Sequence, residues 1–517
     1  MKKLFRIAVL AMSVFVLFAA CGSDTKEEGQ ASVKGLPPAV DNETVVIATA
    51  DETPSLTTAG HNAVAGDYIN KIVYNGLFKM NKELNPVPDL VENYTVEKDE
   101  NGEETIWKMT LHNGIKFHDG SVMTSDDVIA SLNEAKKSAH VATYTKSIIK
   151  MEKIDDLNFV LYTDGPSSSL LYDLAHHGNF IIPKALIESG NNFNENPIGA
   201  GPYKFVNWTQ GTELTFTAHT DYFDKDNAPK IKNIVWKIIP EGSSRTIALE
   251  AGEIDFIIEL DSTSITSIES NKDLALINVP SVSHSWLTVN NEVKPFDDLN
   301  VRKALSCAIN RDDVVTVALN GAGVPATAQV PMGMLGGKTD GFDSYDIEKA
   351  KEYMKAWGGD PSTIKLDIIC SNDTKRRAAE VIQANLAEIG INAKIESMDL
   401  ATYLSVTAAG DFTGFIGGFT SNNMMAFLKG VYHSQNINSS NKTRTNVPKL
   451  DELIDLSTKT VDKDAREKIL FEIAVMLNEN CYQMPLWQDS RLSAHNALLK
   501  NTFITTSGDF FPQEWSW

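Results

Sequence analysis

Hydrophobic positions along this chain switch between two periods, alternation and helical spacing. TVVIAT (44–49) is a short β-branched apolar run and predicts a buried strand. TIWKMTLHNGIKF (105–117) alternates and then meets Asn113-Gly114, which predicts a hairpin. YKFVNW (203–208) and ELTFTA (213–218), separated by TQGT, predict a second one. TSDDVIASLNEAKK opens a helix with Thr124 or Ser125 as N-cap and acids in the first turn. NDTKRRAAEVIQANLAEIG sets Ala378, Val381, Ile382, Leu386 and Ile389 on one face and stops near Gly390. The alternating strand INAKIES follows at once. KDAREKILFEIAVMLNEN aligns Ile469, Leu470, Ile473, Met476 and Leu477. Helix-then-strand units of this kind predict α/β layers around a mostly parallel sheet.

The first 21 residues follow another pattern. Lys2, Lys3 and Arg6 precede an apolar run, Ile7 to Ala20, that is too short to span a bilayer, which takes about 20 apolar residues. A basic start, a short apolar run and small residues describe a secretory signal. The Ala19-Ala20-Cys21 ending resembles a bacterial lipobox, with Phe18 where Leu is more common. That resemblance implies cleavage after residue 20 and lipidation of Cys21. Residues 22–42 are rich in Gly, Pro, Ser and charge and hold too little apolar surface to offset ordering, so they read as a tether. The protein is therefore expected outside the cytoplasm, lipid-anchored to the cell membrane: the outer face in a Gram-positive cell, the periplasm in a Gram-negative one.

A formal charge of -21 argues against nucleic-acid binding, which needs a basic footprint, and keeps a secreted protein soluble. Cys307, Cys370 and Cys481 lie in apolar patterns without metal or disulfide spacing and read as core residues. Enzyme motifs fail on inspection. Gly336-Gly337-Lys338-Thr339 lacks the upstream glycine of a phosphate loop, with Met332 in its place. Ser362 and Lys365 fit S-x-x-K without a K-T-G partner, and Ser362 follows Asp360-Pro361 in a turn. No cofactor and no catalytic residue is expected. His176-His177 invites a metal reading, but neighbouring histidines seldom point the same way, so no metal is expected either.

Several blocks, in order, resemble the extracellular solute-binding proteins of family 5, the peptide and nickel type. They are YNGLFKMNKELNPVPDLVENY, LHNGIKFHDGSVMTSDDVIASL, IGAGPYKFVNWTQGTELTF, DYFDKDNAPKIKNIVWKIIPEGSSRTIALEAGEIDF, PFDDLNVRKALSCAINRDDVV and AEVIQANLAEIGINAKIES, with YQMPLWQDS near the end. The resemblance implies an α/β, two-lobed periplasmic-binding-protein-like fold of type II, in the large peptide-binding cluster, with an extra subdomain and a two-strand hinge. One lobe is implied from 43–75, 197–282 and 489–517, a subdomain from 76–196, and the opposite lobe from 283–488. Crossings fall near Ser283–Asn290 and Pro485–Ser490. It also implies a monomeric receptor that hands its solute, oligopeptides above all, to an ABC permease and ATPase complex. Within Phe117-His118-Asp119-Gly120, the family's best-known short motif, a turn and backbone bonding are expected rather than ligand contact.

Ligands in such folds sit on loops at the carboxyl ends of strands. Asp51, Glu52 and Thr53 follow the first strand, and Phe419, Thr420, Ser421, Asn422 and Asn423 follow another apolar run. In peptide-binding relatives the second segment carries a tryptophan and then an aspartate that holds the peptide ammonium. Here Phe419 takes the aromatic position and Thr420 or Asn422 the acidic one. Asp51 or Glu52 is a substitute acid; the alternative is a ligand such as a nickel chelate or an oligosaccharide. Trp286 and Trp487, at the crossings, are expected to line the cleft or to fill the hinge. Arg376 and Arg377 read as solvated.

Overall fold

The computed structural model describes residues 42–517. The signal run, Cys21 and nearly all of the tether lie outside them. Eleven strands form one sheet. In chain order they are β1 (Thr44–Thr49), β2 (Tyr203–Thr209), β3 (Glu213–Ala218), β4 (Asn233–Ile238), β5 (Phe256–Ile257), β6 (Leu274–Val289), β7 (Gly323–Pro325), β8 (Asp367–Cys370), β9 (Lys394–Ser397), β10 (Gly414–Thr420) and β11 (Met484–Asn496). Their order across the sheet is β9-β8-β10-β6-β11-β5-β1-β4-β3-β2, with β7 on β11.

The sheet is mixed, not mostly parallel. β1 runs parallel to β4 and β5, and β8 runs parallel to β9 and β10. These trios come from helix-then-strand units, as the pattern predicts. The remaining pairings are antiparallel, because a hairpin (β2–β3) and the long pair β6–β11 cannot be built otherwise. β6 spans 16 residues and β11 spans 13. β6 is irregular between Pro280 and His284, where it passes from one flank of the sheet to the other.

β1 shows why the flanks are stable. Val45 and Ile47 enter one core cluster with Tyr68, Trp236 and Trp515, while Ala48 enters another with Leu249, Ile254 and Ile257. Both faces are covered, so the strand is apolar throughout. On the other flank Leu287, Leu305, Ile368, Ile382, Leu386 and Trp487 share a core. A separate four-stranded antiparallel sheet (Val91–Lys98, Glu104–Leu111, Ile148–Lys153, Asn158–Thr163) carries its own core around Trp107, Phe117 and Leu132.

Local expectations fare unevenly. Asn113-Gly114 does turn, with Gly114 at φ 77°, yet Glu104–Leu111 pairs with Val91–Lys98 and Asn158–Thr163 rather than across that turn. The helix Ser125–Lys137 begins with a capping box in which the Asp127 carboxylate accepts from Thr124 N at 2.8 Å. His118 donates from Nε2 to the Gly201 carbonyl at 3.0 Å, and its Nδ1 accepts from Gly199 N at 3.4 Å. The F-H-D-G turn thus clamps the I-G-A-G-P-Y loop, and burial pushes the imidazole down to about 3, keeping it neutral. Cys307, Cys370 and Cys481 are buried free thiols.

Candidate functional site

A cavity of about 380 Å³ opens where three separate parts of the chain converge. The helix Val64–Val73 supplies Asp67, Tyr68 and Lys71, the segment around the short helix Leu170–Leu174 supplies Tyr172, Asp173, His176 and His177, and the loop after β10 supplies Ser421, Asn422 and Asn423. Tyr144, Ser507 and Asp509 also line it.

Most of its charge is cancelled internally. Lys71 Nζ lies 2.6 Å from Asp67 Oδ2 and also pairs with Asp509, whose carboxylate accepts from Ser507 and Thr505 as well. Burial alone would raise the Asp67 carboxyl, but Lys71 and His177 hold it well below the usual carboxylate range. Burial works against the Lys71 ammonium, and the two carboxylates raise it above the ordinary lysine value.

Histidines form the second feature. His176 stacks on Tyr144 with centroids 3.7 Å apart, His177 stacks on His61 at 4.7 Å, and the two adjacent rings are 4.3 Å from each other. They do stand together, contrary to the expectation for neighbours, because His176 caps a turn through Gly178 N while His177 reaches Asp67 Oδ1 at 3.0 Å. Burial pushes His61 down to about 4 and His176 to about 3, so these two rings are neutral at pH 7.

Asp173 differs from the other two acids. Its nearest partner is the Ser169 hydroxyl at 3.5 Å, and among the described residues no cation pairs with it. Burial pushes its carboxyl up to about 7. Asn179, itself buried, fixes the segment by donating to the Asp173 and Tyr144 carbonyls at 2.8 and 3.1 Å.

Ser421, Asn422 and Asn423 reach the cavity, although the Asn423 side chain is also the N-cap of the helix Met424–Tyr432. Trp286 and Phe419 line a neighbouring cavity of about 270 Å³. Asp51, Glu52, Thr53, Thr420 and Trp487 line neither. Glu52 accepts from Trp208 Nε1 and Gly211 N, both at 2.7 Å, and Asp51 points to solvent. Thr53 is buried and bonds to the Ser55 carbonyl, whereas Thr420 is exposed at the end of β10. Trp487 sits in the core with its indole N–H on Asp489 Oδ1 at 2.8 Å. Arg376 is a surface residue paired with Asp373 and Glu380, but Arg377 is not merely solvated: it donates to the Ala318 carbonyl at 2.8 Å and ties two helices. Asp67, Lys71, Tyr144, Asp173 and Asp509 had no motif to mark them. The single usable signal was the acid inside the apolar run LLYDLA.

Residues 85–439 match the model of the bacterial extracellular solute-binding proteins, family 5 Middle. The chain belongs to that family. It is 30% identical over 377 residues to the glutathione-binding protein GsiB of Salmonella paratyphi A, covering 72% of each chain. It is 31% identical over 361 residues to GsiB of Escherichia coli K12, covering 69% of each. The structure of HbpA2 from Haemophilus parasuis superimposes with a TM-score of 0.82 at 23% identity over 92% of this chain and 99% of that one. The unliganded open form of MppA, a periplasmic murein tripeptide binding protein, gives 0.83 at 19% over 92% and 98%. The fold is therefore the two-lobed solute-binding architecture, and the protein is an extracytoplasmic solute-binding protein. Among the described residues no helix is long and apolar enough to cross a membrane.

Replacing Lys71 by Met leaves Asp67 and Asp509 facing each other. Because the pair is partly solvated, the expected cost is about 2–3 kcal/mol, below the roughly 3–5 of a fully buried pair. Asp67 has a depressed folded value, so its contribution is present above about pH 4 and lost as pH falls through that value. Thermal melts of K71M should show a lower midpoint than wild type at pH 7.5 and a similar deficit at pH 5; equal midpoints at pH 7.5 would contradict the pairing.

Proposed function

We propose that this protein captures short peptides or peptide-like solutes through their free amino group and delivers them to an ABC importer. The observation that carries this reading is Asp173, the one acid of the cleft wall without a cation among the described residues. A ligand ammonium in contact with it would restore the charge balance that Lys71 supplies to the other two acids. It would stand in for the acid missing at Thr420 or Asn422. The cavity volume falls within the ~300–1,000 Å³ typical of small-ligand sites. Relatives named for glutathione and for murein tripeptide bind ligands of this size and chemistry.

In this reading the lobes are 43–75 with 197–282 and 489–517 on one side and 283–488 on the other, with 76–196 beside the first. β6 and β11 are the hinge, and closure brings Asn422 toward Asp173 and the stacked histidines. Binding energy alone drives closure; no bond is made or broken. Cys21, with its acyl chains, keeps the receptor at high local concentration beside its permease. Cys21→Ser should move the protein from the membrane to the soluble fraction with unchanged ligand affinity, and membrane retention would contradict the anchor.

A charge-assisted hydrogen bond contributes about 1.5–3 kcal/mol, so Asp173→Asn should weaken binding of free-amine tripeptides about 10- to 100-fold by calorimetry. Wild-type affinity should fall as pH drops from 7.5 to 5.5, since the proton competes with the ligand at a carboxyl near 7. D173N should lack that slope. The raised folded value also means that ionised Asp173 costs stability increasingly from about pH 4 to 7, so ligand-free D173N should melt higher than wild type at pH 7.5. Undiminished tripeptide affinity in D173N would overturn the assignment.

A further inference from the structure

The cavity next to the cleft is lined by two lysines, Lys375 and Lys442, and, among the described residues, by no acid. β10 lends it Gly417, Gly418 and Phe419, and two residues further along the chain Ser421 begins the cleft lining, so one strand serves both. Its walls are aromatic, from Trp286, Tyr403, Phe415 and Phe419. Leu400 and Leu404 at its edge are 59% and 48% exposed, an apolar rim without cover.

Two lysines enter this apolar space. Lys375 Nζ lies 4.7 Å from the centroid of the Tyr403 ring, and Lys442 Nζ lies 5.5 Å from the same ring and 5.9 Å from that of Phe415. Their hydrogen bonds go to hydroxyls alone, Ser371 Oγ at 3.1 Å and Thr407 Oγ1 at 2.7 Å. Among the described residues no carboxylate forms an ion pair with either, in a chain that carries 68 acids against 47 bases. The adjacent Arg376, by contrast, pairs with both Asp373 and Glu380. Burial lowers both ammonium groups, and Lys375 lowers Lys442 further by repulsion. Lys375 also sits in the first turn of the helix Asp373–Ala387, where the helix dipole disfavours a cation and welcomes an anion. The ring faces attract the ammonium groups but do not neutralise them. Two half-buried like charges with no counterion are balanced only when an anion joins them.

We propose that Lys375 and Lys442 form an anion subsite, so that the captured solute carries a carboxylate, or an equivalent anionic group, on an apolar arm that enters this pocket. The inference rests on the reading of the molecule as a solute receptor. It does not rest on Asp173. The anion has two possible sources in a peptide, the terminal carboxylate and an acidic side chain, and their chemistry at the lysines is the same.

The test is calorimetry with Ala-Glu-Ala and Ala-Gln-Ala, each with a free and an amidated C-terminus, on wild type and on K375Q/K442Q. Thermal shift with phenylphosphonate, an anion on an aromatic arm, runs beside it. On wild type, removing the recognised charge should cost about tenfold or more in affinity. A loss on Glu-to-Gln exchange assigns the side chain, and a loss on amidation assigns the terminus. The double variant should bind all four peptides alike. It should melt no lower than wild type, because a repulsion has been removed, and phenylphosphonate should raise the midpoint of wild type only. If no peptide binds while phenylphosphonate still shifts wild type alone, the peptide reading fails and the anion subsite stands. A wild type indifferent to peptide charge and to phenylphosphonate, or a double variant that keeps either preference, would overturn the subsite.

Discussion

β6 and β11 hydrogen-bond to one another from Leu274↔Asn496 to Leu287↔Met484, and each is held at its outer edge by a different flank of the sheet. The rest of the large sheet is arranged on this pair. β5, β1 and β4 are positioned by β11, and β10 and β8 by β6. Buried arginines brace the entry to β11: Arg302 donates to the Asn480 and Cys481 carbonyls, both at 3.0 Å, and Arg311 to the Pro485 carbonyl at 2.7 Å. The irregular stretch of β6 between Pro280 and His284 interrupts the ladder between the two flanks. A rigid pair with one weakened point suits two bodies that close on a solute.

The cleft and the pocket beside it share one electrostatic logic. Groups with a structural task find partners within the protein: Lys71 with Asp67 and Asp509, Glu52 with Trp208, Asn423 with its helix. Groups left without a counterion, Asp173 in the cleft and Lys375 with Lys442 in the adjoining pocket, each hold a half-buried charge at a cost in stability. A solute carrying both signs would offset both costs. In the proposed reading specificity would arise from charge balance, with the aromatic and histidine walls contributing apolar contact.

Much of the fold was legible in the sequence because burial leaves a period. Val45 and Ile47, Leu470 and Ile473, Ala378 and Ile382 all occupy core positions that their spacing marks. Strand direction was less legible: neither β6 nor β11 reveals from its own residues which neighbour it meets, so the sheet is mixed where parallel was expected. The cleft was legible only where a motif borders it, at Ser421–Asn423. Asp67 and Asp509 are 442 positions apart and meet on one ammonium, a convergence that only the tertiary fold creates. Lys375 adjoins the two arginines that look like surface charge, and nothing in its spacing separates it from them.

Native mass spectrometry of the purified protein, followed by amine-reactive labelling of whatever unfolding releases, tests the central claim most directly. The account predicts one small amine-bearing solute, or a mixture of short peptides, bound one to one. Release of a solute without an amine, such as an oligosaccharide, would contradict it.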